Sequence, residues 1–259
     1  MNILIAGQGA FGTALGQILT DNGHSVTFYD PQGGVSTPPE AFHTTEVIVI
    51  AVPSAHLQYL LSDTLWPNYA GQPIILTTKG VLDPQTIFGD QIEQIIAISG
   101  PGFAEDLNNH LPTTLTTTGQ LAIDLFTTSY LNLELTSDIR GVLACGALRT
   151  VYAIGAGLRR LEPNTDDLHE YIVSSLAEIK DLLPAFGGDP ATADLQCGIG
   201  DLTLTCSSTK SRNYTYGLSL ATDTQQPEET VEGLSVLTSI PEYIPLPPIL
   251  ADIRSRIPQ

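Results

Sequence analysis

Two groups of residues in this 259-residue chain have the types and spacing needed to bind anionic groups. The first is the segment at residues 7–12, which reads G-x-G-x-x-G. In such a segment Gly7 permits a tight turn, Gly9 lets backbone N–H groups approach a pyrophosphate, and Gly12 lets a helix pack closely on a strand. The second group is a set of polar residues in the C-terminal half: Arg149, Asp201, Thr205, Lys210, Arg212 and Asn213.

A single basic residue marks the N-terminal half of the sequence. Within residues 1–138, Lys79 is the only Lys or Arg, and it follows an apolar segment of strand length. A solvent-exposed lysine is the ordinary interpretation. A segment that otherwise avoids basic residues, and keeps one at the end of a strand, indicates instead a lysine with a role in a site. Lys79 is therefore a candidate site residue.

The polar residues of the C-terminal half suit phosphate chemistry. The planar guanidinium of Arg212 can donate two hydrogen bonds to phosphate oxygens at once. Structural explanations are also open: Arg212 as a surface charge, Asp201 as a helix N-cap, and Thr205 as an ordinary helical residue. Lys210 is expected to be solvated, and the five histidines form no catalytic pattern.

The composition excludes several classes of partner. The net charge is −18 at pH 7, because 28 Asp and Glu outnumber 10 Lys and Arg. We therefore expect no nucleic acid and no anionic membrane surface as a partner. No run of about 18 apolar residues is present, so no membrane insertion is expected either. The N-terminus lacks the charged region of a signal peptide, and the cysteines lack metal-ligand spacing. These features predict a cytoplasmic protein with buried thiols and no metal.

The apolar segments of the N-terminal half alternate with helical patterns. This order predicts an α/β fold with a Rossmann-type, doubly wound and mainly parallel sheet. The continuous apolar run at residues 46–52 is typical of a strand buried on both faces. Residues 31–45 are rich in Pro, Gly, Ser and Thr and are predicted to form a loop. Strands are predicted at residues 2–6, 26–29, 46–52, 73–78, 94–99, 112–118 and 132–135.

Ligands in such folds bind beyond the carboxyl ends of the strands, where the glycine-rich segment lies. Asp30 ends the second strand, and its carboxylate can accept hydrogen bonds from the ribose hydroxyls of a dinucleotide. It would repel a 2′-phosphate, so NAD is the predicted cofactor, with NADH preferred over NADPH. A glycine-rich turn in a protein without a cofactor is the alternative. The cofactor-binding candidates are Gly7, Gly9, Ala10, Phe11, Gly12, Asp30 and Pro53.

From about residue 137 the pattern becomes helical. Residues 141–161 combine helical apolar spacing with many Ala and Gly, which predicts a buried and closely packed helix. We therefore expect a dinucleotide-binding Rossmann domain at residues 1–136 and an all-helical substrate domain at residues 137–259. Further helices are predicted at residues 167–186, from Asp189, at 202–208 and 213–220, and near the C-terminus, with a break at residues 198–201.

Taken in this order, the motifs resemble the NAD(P)-dependent glycerol-3-phosphate dehydrogenases of bacterial type. The Gly-Asp-Leu stretch at Asp201 and the Ser-Arg-Asn stretch at Arg212 are the more specific parts of the match. The resemblance implies reduction of dihydroxyacetone phosphate, a small phosphorylated substrate, to sn-glycerol 3-phosphate by hydride transfer from NAD(P)H. The matching segments are residues 7–15, 51–54, 78–80, 99–105, 111–113, 146–149, 198–202, 204–206, 211–213 and 231–233.

The resemblance implies a role for each catalytic candidate. Lys79 would contact the substrate in the cleft, Asp201 would orient the catalytic cation, and Thr205 would lie in the polar site. At Arg149 the chain departs from the family, which has Lys-Asn after Gly-Ala-Leu where this chain has Arg149-Thr150. The family lysine is the expected general acid. Arginine can stabilise an alkoxide but is a poor proton donor, because it keeps its proton at ordinary pH.

The resemblance also implies binding roles. Arg212 and Asn213 would hold the substrate phosphate. Phe103 would lie near the nicotinamide and Glu232 near the cofactor. The segment at residues 31–45 is much shorter than in the family, which removes part of the wall around the adenosine. The C-terminal end after Gly233 is also shortened and is rich in Pro.

Three interpretations of the function therefore stay open. The first is a working glycerol-3-phosphate dehydrogenase in which Arg149 and Lys79 share the stabilisation of the carbonyl oxygen. The second is an oxidoreductase for another small phosphorylated or carboxylated carbonyl compound. The third is a non-catalytic NAD-binding or regulatory protein. The sequence leaves the oligomeric state open, with a homodimer as one option.

Overall fold

The computed structural model describes residues 1–31, 41–225 and 230–258. The contacts within the chain divide it into two compact units. The first unit comprises residues 1–78 and 84–137, and the second comprises residues 79–83 and 138–259. A sheet with flanking helices forms the first unit, and helices form the second.

Within the described residues, the strands of the first unit are β1 (Asn2–Ala6), β2 (Ser25–Tyr29), β3 (Val47–Ile50), β4 (Ile74–Leu76), β5 (Ile95–Ser99), β6 (Thr113–Thr117) and β7 (Leu131–Leu135). They form one sheet in the order β2-β1-β3-β4-β5-β6-β7. Neighbouring strands are parallel except β5 and β6, which are antiparallel. The predicted Rossmann-type, mainly parallel sheet is therefore confirmed.

The helices of the first unit cover the sheet. The longest, α1, buries Leu15, Ile18 and Leu19 in the same core as the strand residues Ile3 and Ile5. The helical spacing of these three residues in the sequence predicts this apolar face. The helices are α1 (Ala10–Asp21), α2 (Ala41–Thr44), α3 (Ser54–Tyr59), α4 (Trp66–Asn68), α5 (Pro84–Phe88), α6 (Ala104–Asn108) and α7 (Gln120–Phe126).

Three predicted elements of the first unit need correction. The loop predicted at residues 31–45 contains α2, and residues 32–40 lie outside the described residues. β3 ends at Ile50 and not at residue 52, because the chain leaves the ladder before Pro53, which has no N–H to donate. The spacing of His56, Leu57, Leu60 and Leu61 predicts a short helix after Pro53, but this helix continues beyond α3 as a π-helical segment, Leu60–Leu65. Periodicity alone does not reveal such a segment, since it differs from an α-helix only in its hydrogen-bonding pattern.

The second unit is organised around one buried helix. Its α-helices are α8 (Ile139–Leu158), α9 (Asp166–Leu182), α10 (Asp201–Cys206), α11 (Arg212–Thr222), α12 (Glu232–Ser239) and α13 (Pro248–Arg256). The glycines of α8 and α11 bring the two backbones together. A Cβ at Gly157 would overlap the carbonyl oxygen of Tyr214, and one at Gly217 would overlap that of Ile154. The Ala- and Gly-rich composition of α8 therefore reflects close helix packing, as predicted.

Within the described residues, α8 is also the one helix long and apolar enough to span a membrane by length and composition. It is 94% buried inside the protein, and the core helix of a water-exposed fold passes the same test. The helix therefore gives only weak evidence for a membrane span.

The C-terminal helix α13 is held to the rest of the unit by a buried carboxylate. Glu178 accepts hydrogen bonds from the backbone N–H groups of Ile249 at 2.7 Å and Leu250 at 3.2 Å, at the start of α13. It also accepts one from the hydroxyl of Tyr152 at 2.9 Å. A carboxylate at a helix N-terminus satisfies donors that have no partner within the helix. Glu178 thus joins α8, α9 and α13.

The second unit also departs from the predicted helices. The helix predicted at residues 167–186 ends at Leu182 and continues as a 3₁₀ turn, Leu183–Phe186, before Gly187 with φ of 76°. The helix predicted from Asp189 is a 3₁₀ turn, Pro190–Asp194. Instead of a break at residues 198–201, a π-helical turn, Gln196–Gly200, leads directly into α10. The helix α12 was not predicted.

Candidate functional site

The glycine-rich turn of the first unit connects β1 to α1. Gly7 has φ of 105°, and its N–H donates to the carbonyl oxygen of Tyr29 at 2.9 Å. A Cβ at Gly7 would lie 2.7 Å from the carbonyl oxygen of Ala51, and one at Gly12 would overlap the carbonyl oxygen of Gly7. A Cβ at Gly9 would meet no atom within 4 Å. Packing inside the unit thus requires glycine at positions 7 and 12, whereas Gly9 leaves open space beside the start of α1.

Asp30 is part of the same turn. Its Oδ2 atom accepts a hydrogen bond from the backbone N–H of Gln8 at 2.7 Å. Because Gln8 lies inside the glycine-rich segment, Asp30 fixes the shape of the turn as well as standing at the end of β2. The sequence does not predict this bond, because the two residues are far apart along the chain. Ala10 and Phe11 are the first two residues of α1.

A cavity of about 450 Å³ lies beside the turn, a volume typical of small-molecule sites. Sequence reasoning missed most of its lining residues, among them His56 and Tyr59, which lie three positions apart on α3. Their helical spacing directly after Pro53 is the signal that would have found them. The residues that line the cavity are Gly7, Gly9, Tyr29, Asp30, Pro31, Ala51, Val52, Pro53, His56, Tyr59, Leu60 and Thr64.

These residues fit a dinucleotide. The open space at Gly9 is where a pyrophosphate must approach the start of a helix. The cavity offers a carboxylate at Asp30 and aromatic rings at Tyr29 and Tyr59. Apolar walls with a few polar groups are typical of cofactor sites. The first unit therefore has the shape and the chemical groups for binding a nicotinamide dinucleotide.

Five predicted cofactor residues do not line this cavity: Ala10, Phe11 and Gly12, which are in the first turn of α1, and Phe103 and Glu232. Phe103 is the N-cap residue of α6 in the first unit and does not line the cavity. Glu232 is the first residue of α12 in the second unit, where its carboxylate acts on the Lys79 ammonium. The structure therefore groups Glu232 with the predicted catalytic residues of the second unit.

A buried ion pair lies in the second unit. The side chains of Arg149 on α8 and Asp201 on α10 are each 1% exposed, and the Nε atom of Arg149 lies 2.6 Å from Oδ2 of Asp201. The interpretation of Asp201 as a helix N-cap is wrong, because Gly200 holds that position and the Asp201 carboxylate faces Arg149. Burial raises the pKa of Asp201, while Arg149 and Lys79 oppose that rise.

The ion pair does not use all the donors of Arg149. Among the residues that the structure describes, the buried Nε and Nη2 atoms of Arg149 and the Oδ2 atom of Asp201 have no partner in hydrogen-bonding geometry, although Nε and Oδ2 are only 2.6 Å apart. An unpaired buried donor destabilises a fold, and native structures retain few of them outside functional sites. Thr205 lies one turn after Asp201 on α10, and its hydroxyl donates to the carbonyl oxygen of Asp201 at 2.6 Å. Thr205 is buried, and its hydroxyl proton is used in this hydrogen bond to the helix backbone.

In sequence, Lys79 lies between β4 and α5, which are both in the first unit, but its contacts assign it to the second unit. It is half-buried. The pKa of Lys79 is lowered from 10.5 to about 8, chiefly by burial and then by the guanidinium of Arg149. Arg212 lowers the pKa of Lys79 further, whereas Asp201 and Glu232 raise it. The structure thus brings five predicted site residues together, and their cations outnumber their carboxylates, as an anion site requires.

Arg212 and Asn213 are the first two residues of α11, after the N-cap Ser211. The Oδ1 atom of Asn213 accepts a hydrogen bond from the backbone N–H of Gly233 at 2.9 Å. This bond fixes the side-chain amide, so that its two N–H donors face away from Gly233. A positively charged side chain, an amide donor and a helix N-terminus therefore lie together. Lys210, two residues earlier, is exposed.

Comparisons with known proteins agree with one another. Family profiles for the N-terminus and the C-terminus of NAD-dependent glycerol-3-phosphate dehydrogenase match residues 35–121 and 138–245. The glycerol-3-phosphate dehydrogenase (NAD(P)+) of Maricaulis maris is 31% identical over 258 residues, which cover 85% of this chain and 78% of that protein. The protein of the same name from Anaeromyxobacter sp. is 28% identical, with 85% and 80% covered.

A solved structure shows the same fold. The crystal structure of glycerol-3-phosphate dehydrogenase from Coxiella burnetii has a TM-score of 0.82 and 23% identity, and the match covers 92% of this chain and 87% of that one. The N-terminal profile match starts at residue 35, after the glycine-rich turn, so the roles given to residues 7–12 rest on their geometry. With both family profiles matched and a relative above 30% identity, the chain belongs to the NAD-dependent glycerol-3-phosphate dehydrogenase family.

Proposed function

We propose that this protein is an NADH-dependent dehydrogenase that reduces dihydroxyacetone phosphate to sn-glycerol 3-phosphate. One observation carries the proposal beyond family membership. Lys79, with its pKa lowered to about 8, lies among Arg149, Asp201 and Arg212, so an acid and a phosphate-binding cation occur in one cluster. A protein that only sensed the cofactor would need neither group.

The glycine-rich turn and its cavity would hold the cofactor. The N-terminus of α1 would face the pyrophosphate beside Gly9, and the carboxylate of Asp30 would accept hydrogen bonds from the adenosine ribose. When bound, the nicotinamide supplies the hydride for the reduction. NADH is the preferred form, because the first unit contains no Lys or Arg that would balance a 2′-phosphate beside Asp30.

The start of α11 would bind the substrate phosphate. Arg212 supplies a planar guanidinium that matches two phosphate oxygens, and the positive end of the α11 dipole adds to the attraction. The amide of Asn213 would donate to a further oxygen, because its Oδ1 atom is already occupied by Gly233. Together these groups would select a phosphorylated substrate over the unphosphorylated ketone.

Lys79 would donate the proton that completes the reaction. Reduction of a ketone leaves an alkoxide, which needs a positive charge nearby and then a proton. Lys79 is half-buried and titrates close to neutral pH, which suits a general acid. Arg149 is only 1% exposed, so it would act from behind Lys79 as a fixed positive charge held by Asp201. The proton would therefore not need to come from arginine, which binds its proton too tightly.

A spectrophotometric assay of NADH oxidation by the purified protein tests the proposal. With dihydroxyacetone phosphate we expect steady turnover, and with unphosphorylated dihydroxyacetone we expect a much lower kcat/KM. NADH binding without any turnover on the phosphorylated ketone would contradict the proposal and favour a non-catalytic protein. Equal turnover on the two ketones would contradict the phosphate role of Arg212 and Asn213.

A further inference from the structure

The segment that carries Lys79 has its contacts in a different unit from its neighbours in sequence. Residues 79–83, here called the lysine strap, lie between β4 and α5 of the first unit but group with the helices of the second. The chain before the strap is fixed within the first unit, where the hydroxyl of Thr78 donates to the carbonyl oxygen of Val52 at 2.8 Å. The strap is thus a short, separate piece of the second unit.

The surroundings of Lys79 do not by themselves hold its ammonium in place. The guanidiniums of Arg149 and Arg212 repel it, and burial disfavours its charged form. Asp201 and Glu232 attract it, but Asp201 already forms an ion pair with Arg149. A long and flexible lysine side chain in such a place would be expected to turn towards water. Its backbone must therefore be held by other contacts.

The rest of the strap supplies those contacts. Val81 is 1% exposed and Leu82 is 5% exposed, so both side chains are buried. Gly80 has φ of 90°, a conformation that strongly favours glycine and that sets the direction of the chain after Lys79. Asp83 lies 3.9 Å from Arg140, but both side chains are partly exposed, so this ion pair contributes little. The buried apolar pair is therefore the main anchor.

We propose that the lysine strap is a positioning element in which Gly80, Val81 and Leu82 hold Lys79 beside Arg149 and Asp201. The strap acts through Lys79 and touches no reacting atom itself. The proposal rests on the proposed function for the identity of the reaction. The position of Lys79 can nevertheless be measured without turnover, so the two proposals can fail separately.

The experiment is an NMR titration of the protein with ¹³C-labelled lysine. The chain contains only three lysines, Lys79, Lys180 and Lys210, so the spectrum is simple, and Lys180→Arg and Lys210→Arg assign the signals. Leu82→Ala removes most of the buried anchor. Leu168→Ala on α9 is the matched control, because Leu168 is 4% exposed against 5% for Leu82 and lies outside the strap.

Loosening the strap should let Lys79 reach water and move away from Arg149. In Leu82→Ala the titration midpoint of Lys79 should therefore rise by about one pH unit, towards the ordinary value of a lysine. The alkaline limb of the kcat–pH profile should move by the same amount, while KM for NADH stays unchanged. Leu168→Ala should move neither quantity.

Two results would overturn the proposal. One is a Lys79 titration in Leu82→Ala that coincides with that of the unmodified protein. The other is an equal shift in Leu168→Ala, which would show a general loss of packing.

If Leu82→Ala does not fold, Gly80→Ala gives the same test, because it strains the turn without removing a core side chain. A protein that never turns over dihydroxyacetone phosphate would contradict the proposed function, yet the titration would still decide the role of the strap.

Discussion

All ten Lys and Arg residues of the chain lie in the second unit, and none lies in the first. The features of the first unit that suit an anion are the N-terminus of α1 and the open space beside Gly9, where an added Cβ would meet no atom. The charged group in its cavity is a carboxylate. In the second unit the groups that suit an anion are the cationic side chains of Lys79, Arg149 and Arg212, which have Asp201 and Glu232 nearby. Both arrangements are adapted to anionic groups, but they use different chemistry.

The difference shows which changes each unit should tolerate. Backbone N–H groups cannot be removed by a side-chain substitution, so the first unit should depend on shape and on its glycines. Charged side chains can be removed one at a time, so the second unit should depend on individual residues. The following predictions test this contrast, beginning with the largest expected effect.

Lys79→Ala should lower kcat for dihydroxyacetone phosphate by roughly 10²–10⁴-fold, because it removes the proposed proton donor. The dissociation constant of NADH, measured by calorimetric titration, should stay nearly unchanged. Arg149→Lys should keep or increase kcat, since a lysine there restores the acid that the family carries. A Lys79→Ala protein that turns over at the normal rate would rule out this mechanism.

Arg212→Ala should raise the KM for dihydroxyacetone phosphate and lower kcat/KM. The lost free energy of transition-state binding should be about 2–5 kcal/mol, as expected when one partner of a charged hydrogen-bonding pair is removed. Lys210→Ala is the matched control, because Lys210 is a nearby but exposed cation. It should leave both constants unchanged. An equal loss in the two variants would mean that general charge, and not Arg212, attracts the substrate.

Two glycine substitutions in the first unit should affect different properties. Gly12→Ala should affect folding, and Gly9→Ala should affect NADH binding. A Cβ at Gly12 would overlap the carbonyl oxygen of Gly7, so Gly12→Ala should lower the free energy of unfolding by roughly 1–3 kcal/mol. A Cβ at Gly9 would meet no atom, so Gly9→Ala should fold normally and weaken NADH binding. Denaturant unfolding and calorimetry measure the two effects. Normal NADH binding by Gly9→Ala would exclude Gly9 from the pyrophosphate site.

Asp30→Asn should relax the preference for NADH over NADPH by about 1–2 kcal/mol, because it removes one negative charge near the 2′-position. The asparagine oxygen can still accept the hydrogen bond that Gln8 donates, so the turn should keep its shape. The measurement is the ratio of the two dissociation constants. An unchanged ratio would show that Asp30 serves only the turn.

The strands of the sheet and the long helices could be predicted because the apolar pattern of each element lies within one continuous stretch of the sequence. The apolar run of β3 and the spaced apolar residues of α1 each indicate an element directly. The π-helical segments Leu60–Leu65 and Gln196–Gly200 have no such signal, because the residues follow nearly the same apolar pattern as an α-helix. α12 was missed because its Gly, Ser and Thr residues are weak helix formers, and packing on α8 compensates for them.

The residues of the candidate site were predicted, but most of their contacts were not. Lys79, Arg149 and Arg212 have positively charged side chains, which indicate anion binding wherever these residues lie in the fold. Their grouping depends on chain segments far apart in sequence, so neither the contacts of Lys79 with the second unit nor the bond between Gln8 and Asp30 is visible in a local pattern. The near-complete burial of Arg149 is also unexpected, because an arginine side chain is almost never fully buried, even though its pairing with Asp201 was anticipated.

The central claim is that Lys79 is the proton donor in the charged cluster of the second unit. The most direct test is the pH dependence of a single turnover, with NADH-saturated protein mixed rapidly with dihydroxyacetone phosphate. Because the pKa of Lys79 is lowered to about 8, its acid form is present below that pH and lost above it. The rate of reduction should therefore be constant below about pH 8 and fall as the pH rises further, and this fall should be absent from the residual rate of Lys79→Ala. A rate that stays constant to pH 10, or an equal fall in Lys79→Ala, would contradict the claim.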